Sequence, residues 1–201
     1  MPQARPLIVG LGGSATPNSS TEQALVLSLA AAAADGAETR LFGGDYLAGL
    51  PHYLAPGSKD AGADLITAIR MADGLVIASP GYHGSISGLV KNAIDDLEET
   101  ARDSRVYLDG VPVGLIATAY GWQATASTIA TLRSIVHALR GWPTPMAITV
   151  NSVMPVFAED GSVSDPTLLK QLDILAQQVV GFARMRALDE LSKASAASES
   201  A

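Results

Sequence analysis

Two short stretches of this chain hold the residue types and spacings that could do chemistry. The first, GLGGSATPNSSTEQAL at residues 10–25, places Ser14, Thr16, Ser19, Ser20 and Thr21 behind an apolar run that ends in glycines. Such a loop, ending on a helix N-terminus, can hold a phosphate monoester through backbone N–H groups, hydroxyls and the helix dipole, without a cation. A plain β-to-α turn built of small capping residues is the other reading of the same letters. Gly10, Gly12 and Ala15 match a dinucleotide-binding pattern only literally. Pro17 to Ser20 intervene before STEQ, where Ser20 as N-cap and Gln23 complete a capping box, and no acidic residue closes the second strand, Asp45 lying too late.

The second stretch is SPGYHGSISGLVKNAIDDLEE at residues 79–99. It leaves the apolar run GLVIA, passes through Pro, Gly and Ser with Tyr82 and His83 among them, and enters an amphipathic helix with Leu89, Val90, Ala93, Ile94 and Leu97 on its apolar stripe. Asp95, Asp96, Glu98 and Glu99 in that helix read as a solvated face, because neighbouring carboxylates without a second cluster do not hold a cation tightly. His52 and His137 have no partner at metal-ligand spacing, so no metal is expected. No residue is assigned as a catalytic base.

The elements that must position these stretches follow from the apolar runs. Runs at 6–12, 38–42, 74–79, 111–118 and 144–150 are continuous rather than alternating, as in strands buried on both faces of a parallel sheet. Helix-period segments at 20–35, 63–72, 86–103, 123–140 and 166–188 separate them, the last opened by Asp165 as N-cap and Pro166. Five strands alternating with five helices predict a doubly wound α/β domain with a five-stranded parallel sheet and helices on both faces. The Gly- and Pro-rich segment 43–62 exceeds an ordinary connection and is expected to be functional or mobile. A turn is expected at EDG, residues 159–161. Residues 1–188 are expected to form one domain and 189–201 a disordered tail.

Composition narrows the partners. The chain has 201 residues, a net charge of -7 and no cysteine, which argues against nucleic acid, disulfides and thiolate chemistry. The broken apolar N-terminus and the lack of a long apolar run predict a cytoplasmic protein with no membrane contact.

Placed after the first and third strands, the two loops would face one crevice in the strand order 2-1-3-4-5. The second loop resembles the NAD(P)H-dependent FMN reductases of flavodoxin-like fold, which carry S-P-x-Y-x-G-S-x-x-G-x-x-K-N-x-x-D. Ser79, Pro80, Tyr82, Gly84, Ser85, Gly88, Lys91, Asn92 and Asp95 fall in step, and the likeness runs from about residue 6 to 188. The resemblance implies FMN with its phosphate on Ser14, Thr16, Asn18, Ser19, Ser20 and Thr21. It implies a ring along Pro80, Gly81, Tyr82, His83, Gly84 and Ser85, with further contacts from Thr118, Ala119, Tyr120 and Gly121. Hydride would come from NAD(P)H, the chain would form a homodimer or homotetramer, and the reduced flavin would serve a partner monooxygenase. Competing readings are an FMN-retaining reductase of quinones, azo dyes or metal oxyanions, a non-enzymatic electron carrier, and a non-flavin binding protein. The family often places Arg in the phosphate loop where this chain has Thr16, so FMN is expected to bind weakly and exchange.

Overall fold

In the computed structural model, residues 5–158 and 162–199 are described. The first strand, β1 (Leu7–Gly12), leads to α1 (Ser20–Ala34) and β2 (Glu38–Phe42), then α2 (Gly44–Gly49) and α3 (Ser58–Met71). Next come β3 (Gly74–Tyr82), the short β4 (Ser85–Ile86), α4 (Gly88–Asp95) and a 3-10 turn (Asp96–Thr100). β5 (Pro112–Ala119), α5 (Trp122–Ala138), β6 (Trp142–Asn151) and α6 (Pro166–Glu199) complete the chain.

The main strands pair in parallel in the order β2-β1-β3-β5-β6, and β4 pairs antiparallel with the end of β3. Setting β4 aside, this is the expected 2-1-3-4-5 order. The continuous apolar runs are explained by what lies on each side. Val9, Leu11, Leu75, Ile77, Val113 and Leu115 point into a core shared with α3, α4 and α5. Their neighbours Ile8, Val76, Ala78 and Ile116 point into a second core against α1 and α6. With both faces covered no polar alternation survives, and each fully buried Leu, Ile or Val contributes about 1.5–3 kcal/mol. Gly114 lets α6 approach closely, since a Cβ there would stand 2.8 Å from Leu175 Cδ2.

Several boundaries differ from the sequence reading. The expected helix at 63–72 begins at Ser58, because Gly57, at φ 81°, turns the chain into it through a left-handed conformation. The segment 43–62 is therefore mostly helical, with α2 at one end and the start of α3 at the other. The expected helix at 86–103 is α4 followed by the 3-10 turn, with Ser87 as N-cap accepting from the Val90 amide at 3.1 Å. The expected N-cap of α1 shifts by one residue: Ser19, not Ser20, accepts from the Glu22 amide, and Gln23 reaches back to the Asn18 carbonyl at 2.7 Å. Asp165 does cap α6, accepting from the Thr167 amide at 2.8 Å.

Two further features stand apart from the sequence pattern. α6 runs past residue 188 to Glu199. Good helix formers and the i, i+4 pairs Arg186–Glu190 and Lys193–Asp189 extend it through solvent. The acidic run is not wholly a solvated face. Asp96 is 5% exposed, packs against Gly62 of α3, and its Oδ2 has no hydrogen-bond partner among the described residues. Burial raises its pKa from the ordinary aspartate value, and the charges of Asp95 and Glu99 act in the same direction. The expected turn at 159–161 lies outside the described residues.

Candidate functional site

The site is assembled where the strand order reverses. From β1 the chain goes to β2 on one side, then crosses to β3 on the other, so the C-terminal ends of β1 and β3 open a crevice between loops that diverge. Register places Gly12 beside Ala78 and Pro80 beside Thr118, which brings the loops after β1, β3 and β5 to one edge of the sheet.

The loop after β1 is held tightly from below. Gly12 and Gly13 have φ of 152° and 126°, and the Gly13 amide donates to the Ala78 carbonyl at 3.3 Å. A side chain on Gly12 would collide with that carbonyl. From the side, the start of α2 closes in: a Cβ on Gly13 would stand 2.7 Å from the Gly44 amide nitrogen, and Gly44 lies directly on the Ser14 carbonyl. Three glycines thus let three backbones meet, a role that spacing alone did not assign to Gly44.

The hydroxyls predicted to bind phosphate fall into two groups. Ser14 is buried and folded back on its own loop, its Oγ accepting from the Thr16 amide at 3.2 Å and donating to the Thr16 carbonyl at 3.3 Å. Thr21 is 2% exposed and its Oγ1 lies 2.6 Å from Thr118 Oγ1, itself 3% exposed. The Ser14 hydroxyl shapes the loop, and the Thr21–Thr118 contact, which uses one of its two protons, ties α1 to β5. Thr16 and Asn18 are exposed, and Ser19 and Ser20 are half-buried at the helix mouth. Asn18 adopts the left-handed region at φ 54°, turning the loop back into α1. The Ser20 and Thr21 amides have no carbonyl within the helix to reach, while the Glu22 amide donates to Ser19 Oγ at 3.3 Å.

The loop after β3 is a hairpin. Tyr82 pairs with Ser85, and the two residues between them, His83 at φ 50° and Gly84 at φ 86°, form the twisted two-residue turn that such a hairpin favours. Tyr82, His83, Gly84 and Ser85 are all exposed at its tip, while Pro80 is buried at its base. Ser79 locks that base: its Oγ accepts from the Ser87 amide at 3.0 Å and donates to the Pro80 carbonyl at 2.9 Å. Gly81 packs closely, since a side chain there would collide with Thr128 of α5.

After β5 the chain turns at Ala119, Tyr120 and Gly121. Ala119 is buried and Tyr120 is 82% exposed. Gly121, at φ 115°, donates its amide to Asn151 Oδ1 at 3.1 Å, and the same oxygen accepts from the Val153 amide at 3.1 Å. Asn151 therefore fixes this turn from the end of β6. The sequence reading missed it, although its place directly behind the last apolar run was a usable signal.

All the residues expected at the site lie at this one edge, in three turns with exposed tips and pinned bases. The arrangement fits a phosphate monoester carrying a flat ring. Thr16, Asn18, Ser19, Ser20 and the α1 amides offer neutral donors, and the exposed hairpin offers an aromatic surface and backbone beside it. Arg40 stacks over Phe42 with its guanidinium carbon 4.9 Å from the ring centroid, and lies 3.7 Å from Asp64 on α3. None of the described loop residues supplies a cation.

The chain is similar to known flavin reductases. The family model for NADPH-dependent FMN reductases matches residues 6–154. An FMN-dependent NADPH-azoreductase of Staphylococcus aureus is 33% identical over 121 residues, 59% of this chain and 61% of the relative. The match thus spans about three-fifths of that relative's length. Among solved structures, a flavoenzyme NAD(P)H:(acceptor) oxidoreductase from Paracoccus denitrificans superposes with a TM-score of 0.72 at 23% identity, covering 90% of this chain and 98% of that one. The apo form of an NADH:FMN oxidoreductase superposes with a TM-score of 0.64 at 21% identity, covering 90% and 89%. At these identities the structural likenesses speak for the flavodoxin-like fold.

Proposed function

This chain belongs to the NADPH-dependent FMN reductase family, and from that membership we propose that it binds FMN across the ends of β1, β3 and β5 and catalyses its reduction by NAD(P)H. The observation that carries the reading is the convergence of the three turns, with the Thr21–Thr118 hydroxyl contact joining the helix of the first to the strand of the third.

When bound, FMN supplies the hydride-accepting chemistry. The protein's part is to hold and orient. Ser14, Thr16, Asn18, Ser19, Ser20 and Thr21, with the first amides of α1, hold the phosphate. Pro80, Gly81, Tyr82, His83, Gly84 and Ser85 border the ring on one side, with Thr118, Ala119, Tyr120 and Gly121 on the other. Tyr82 and His83, exposed on a rigid hairpin, orient the nicotinamide. Asn151 keeps the 118–121 turn from relaxing, which matters because placement within near-contact distance governs hydride transfer.

Residues 1–188 act as the FMN-binding unit in this reading, in the cytoplasm. Large apolar side chains are exposed around the turns, Tyr120 at 82%, Trp122 at 63% and Met154 at 62%, and support assembly as a homodimer or homotetramer. Reduced flavin passes to a partner monooxygenase or another acceptor. The name of the S. aureus relative favours a second reading of the acceptor, an azo compound reduced at the same site.

The test is a titration of purified protein with FMN, followed by anaerobic addition of NADPH. Saturable quenching of flavin fluorescence and bleaching of the flavin absorbance are the expected results. NADPH that survives with FMN present sinks the proposal. Adding an azo dye or a monooxygenase to the reduced mixture separates the two acceptors.

A further inference from the structure

Glu22 stands in the first turn of α1, inside the loop that the FMN reading assigns to the phosphate. Its carboxylate does not point to free solvent. Oε1 accepts from the Gly44 amide at 3.3 Å, and Gly44 is the residue pressed against Gly13 and the Ser14 carbonyl. The Glu22 carboxylate therefore sits at the start of α2, on the residue that packs against the phosphate loop.

Among the described residues, no Lys or Arg forms an ion pair with it. No Lys or Arg occurs from residue 6 to residue 39, and Arg40 is turned to Asp64 and Phe42. The favourable field of the α1 N-terminus is the chief electrostatic attraction this loop offers an anion, and Glu22 already occupies part of it. A phosphate monoester with nearly two negative charges would enter a cradle of neutral donors that already contains one carboxylate.

We infer that Glu22 sets the flavin affinity of this protein by repulsion, holding FMN loosely enough to exchange with solution. The inference rests on the FMN reading and adds to it a residue that discriminates against the phosphate charge. One side chain would then act in two ways: the carboxylate favours α1 and ties it to α2, while opposing the ligand.

Glu22→Gln separates these effects, because the amide oxygen can still accept from the Gly44 amide while the charge is gone. Three quantities are read: FMN Kd by fluorescence quenching at low salt, Kd for riboflavin, which lacks the phosphate, and the salt dependence of each. E22Q is expected to tighten FMN about five- to tenfold, the order expected for like charges within one Debye length. Riboflavin affinity should not move. In the unaltered protein, added salt should tighten FMN by screening the repulsion, and E22Q should flatten that response. Equal FMN affinity in both proteins, or a riboflavin change as large as the FMN change, overturns the role of Glu22 and leaves the FMN reading standing. If E22Q fails to fold, salt-induced weakening of FMN binding to the unaltered protein overturns the inference by itself. If the unaltered protein binds neither flavin, the FMN reading falls and takes this inference with it.

Discussion

At the scale of single residues, the Thr21–Thr118 contact shows how a site residue can be both buried and decisive. Its two hydroxyls lie 2.6 Å apart with almost no exposure. Thr118→Val leaves the Thr21 hydroxyl buried without its partner and should cost about 1–3 kcal/mol, whereas replacing both by Val should cost less than the sum of the singles. Urea unfolding of the four proteins in the cycle measures this, and additive losses would show that the contact carries no coupling. Asp96 gives a second test at this scale. Its folded pKa is raised, so its contribution is fully present below the pKa of an unfolded aspartate and is lost as pH rises through the folded value. Around it stand Lys59, paired with Glu99 at 2.8 Å, the charge of Asp95, and Tyr46, whose own pKa is raised chiefly by burial. Asp96→Asn should flatten the fall in melting temperature between acidic and neutral pH. An unchanged pH profile would show that the carboxyl titrates normally.

At the scale of elements, the β3–β4 hairpin and the end of α6 make opposite predictions. Gly84 sits at φ 86° with open space around it, so the penalty of a side chain there is conformational rather than steric. Gly84→Val should lose about 1–2 kcal/mol, while His83→Asn, which tolerates the left-handed region, should stay within about 0.5 kcal/mol of the parent. Thermal melts of the two variants check the contrast. In the last turns of α6 Leu191 is 63% exposed and the Lys193–Asp189 pair is on the surface. A chain ending at Leu188 should unfold within about 0.5 kcal/mol of the full one, since exposed i, i+4 pairs contribute only tenths. A large loss would mean that this stretch of helix is packed against something in solution.

At the scale of the whole molecule, flavin binding and folding are linked. A ligand that binds only the folded chain stabilises it by about 2.7 kcal/mol at a hundredfold excess over Kd. FMN should therefore raise the urea midpoint, and riboflavin should raise it through the ring contacts alone. A midpoint indifferent to both would contradict a site that spans three strand ends. Among the described residues no helix is long and apolar enough to cross a membrane.

The sequence by itself determined the five main strands, their parallel order and the stretches that come together at the candidate site, because continuous apolar runs, glycine punctuation and the 79–95 pattern are local signals. It also contained the capping of α6 by Asp165. Only the tertiary structure decided which hydroxyls remain available. Ser14 and Thr21 look like Ser20 in a string of letters, yet one is folded onto its own loop and the other is bound to a residue 97 positions away. The same holds for Glu22, Asp96 and Asn151, whose roles depend on partners brought by other elements: Gly44, Gly62 and Gly121. Burial and hydrogen bonding are properties of juxtaposition, and no spacing along the chain encodes which backbone will come to rest against a given side chain.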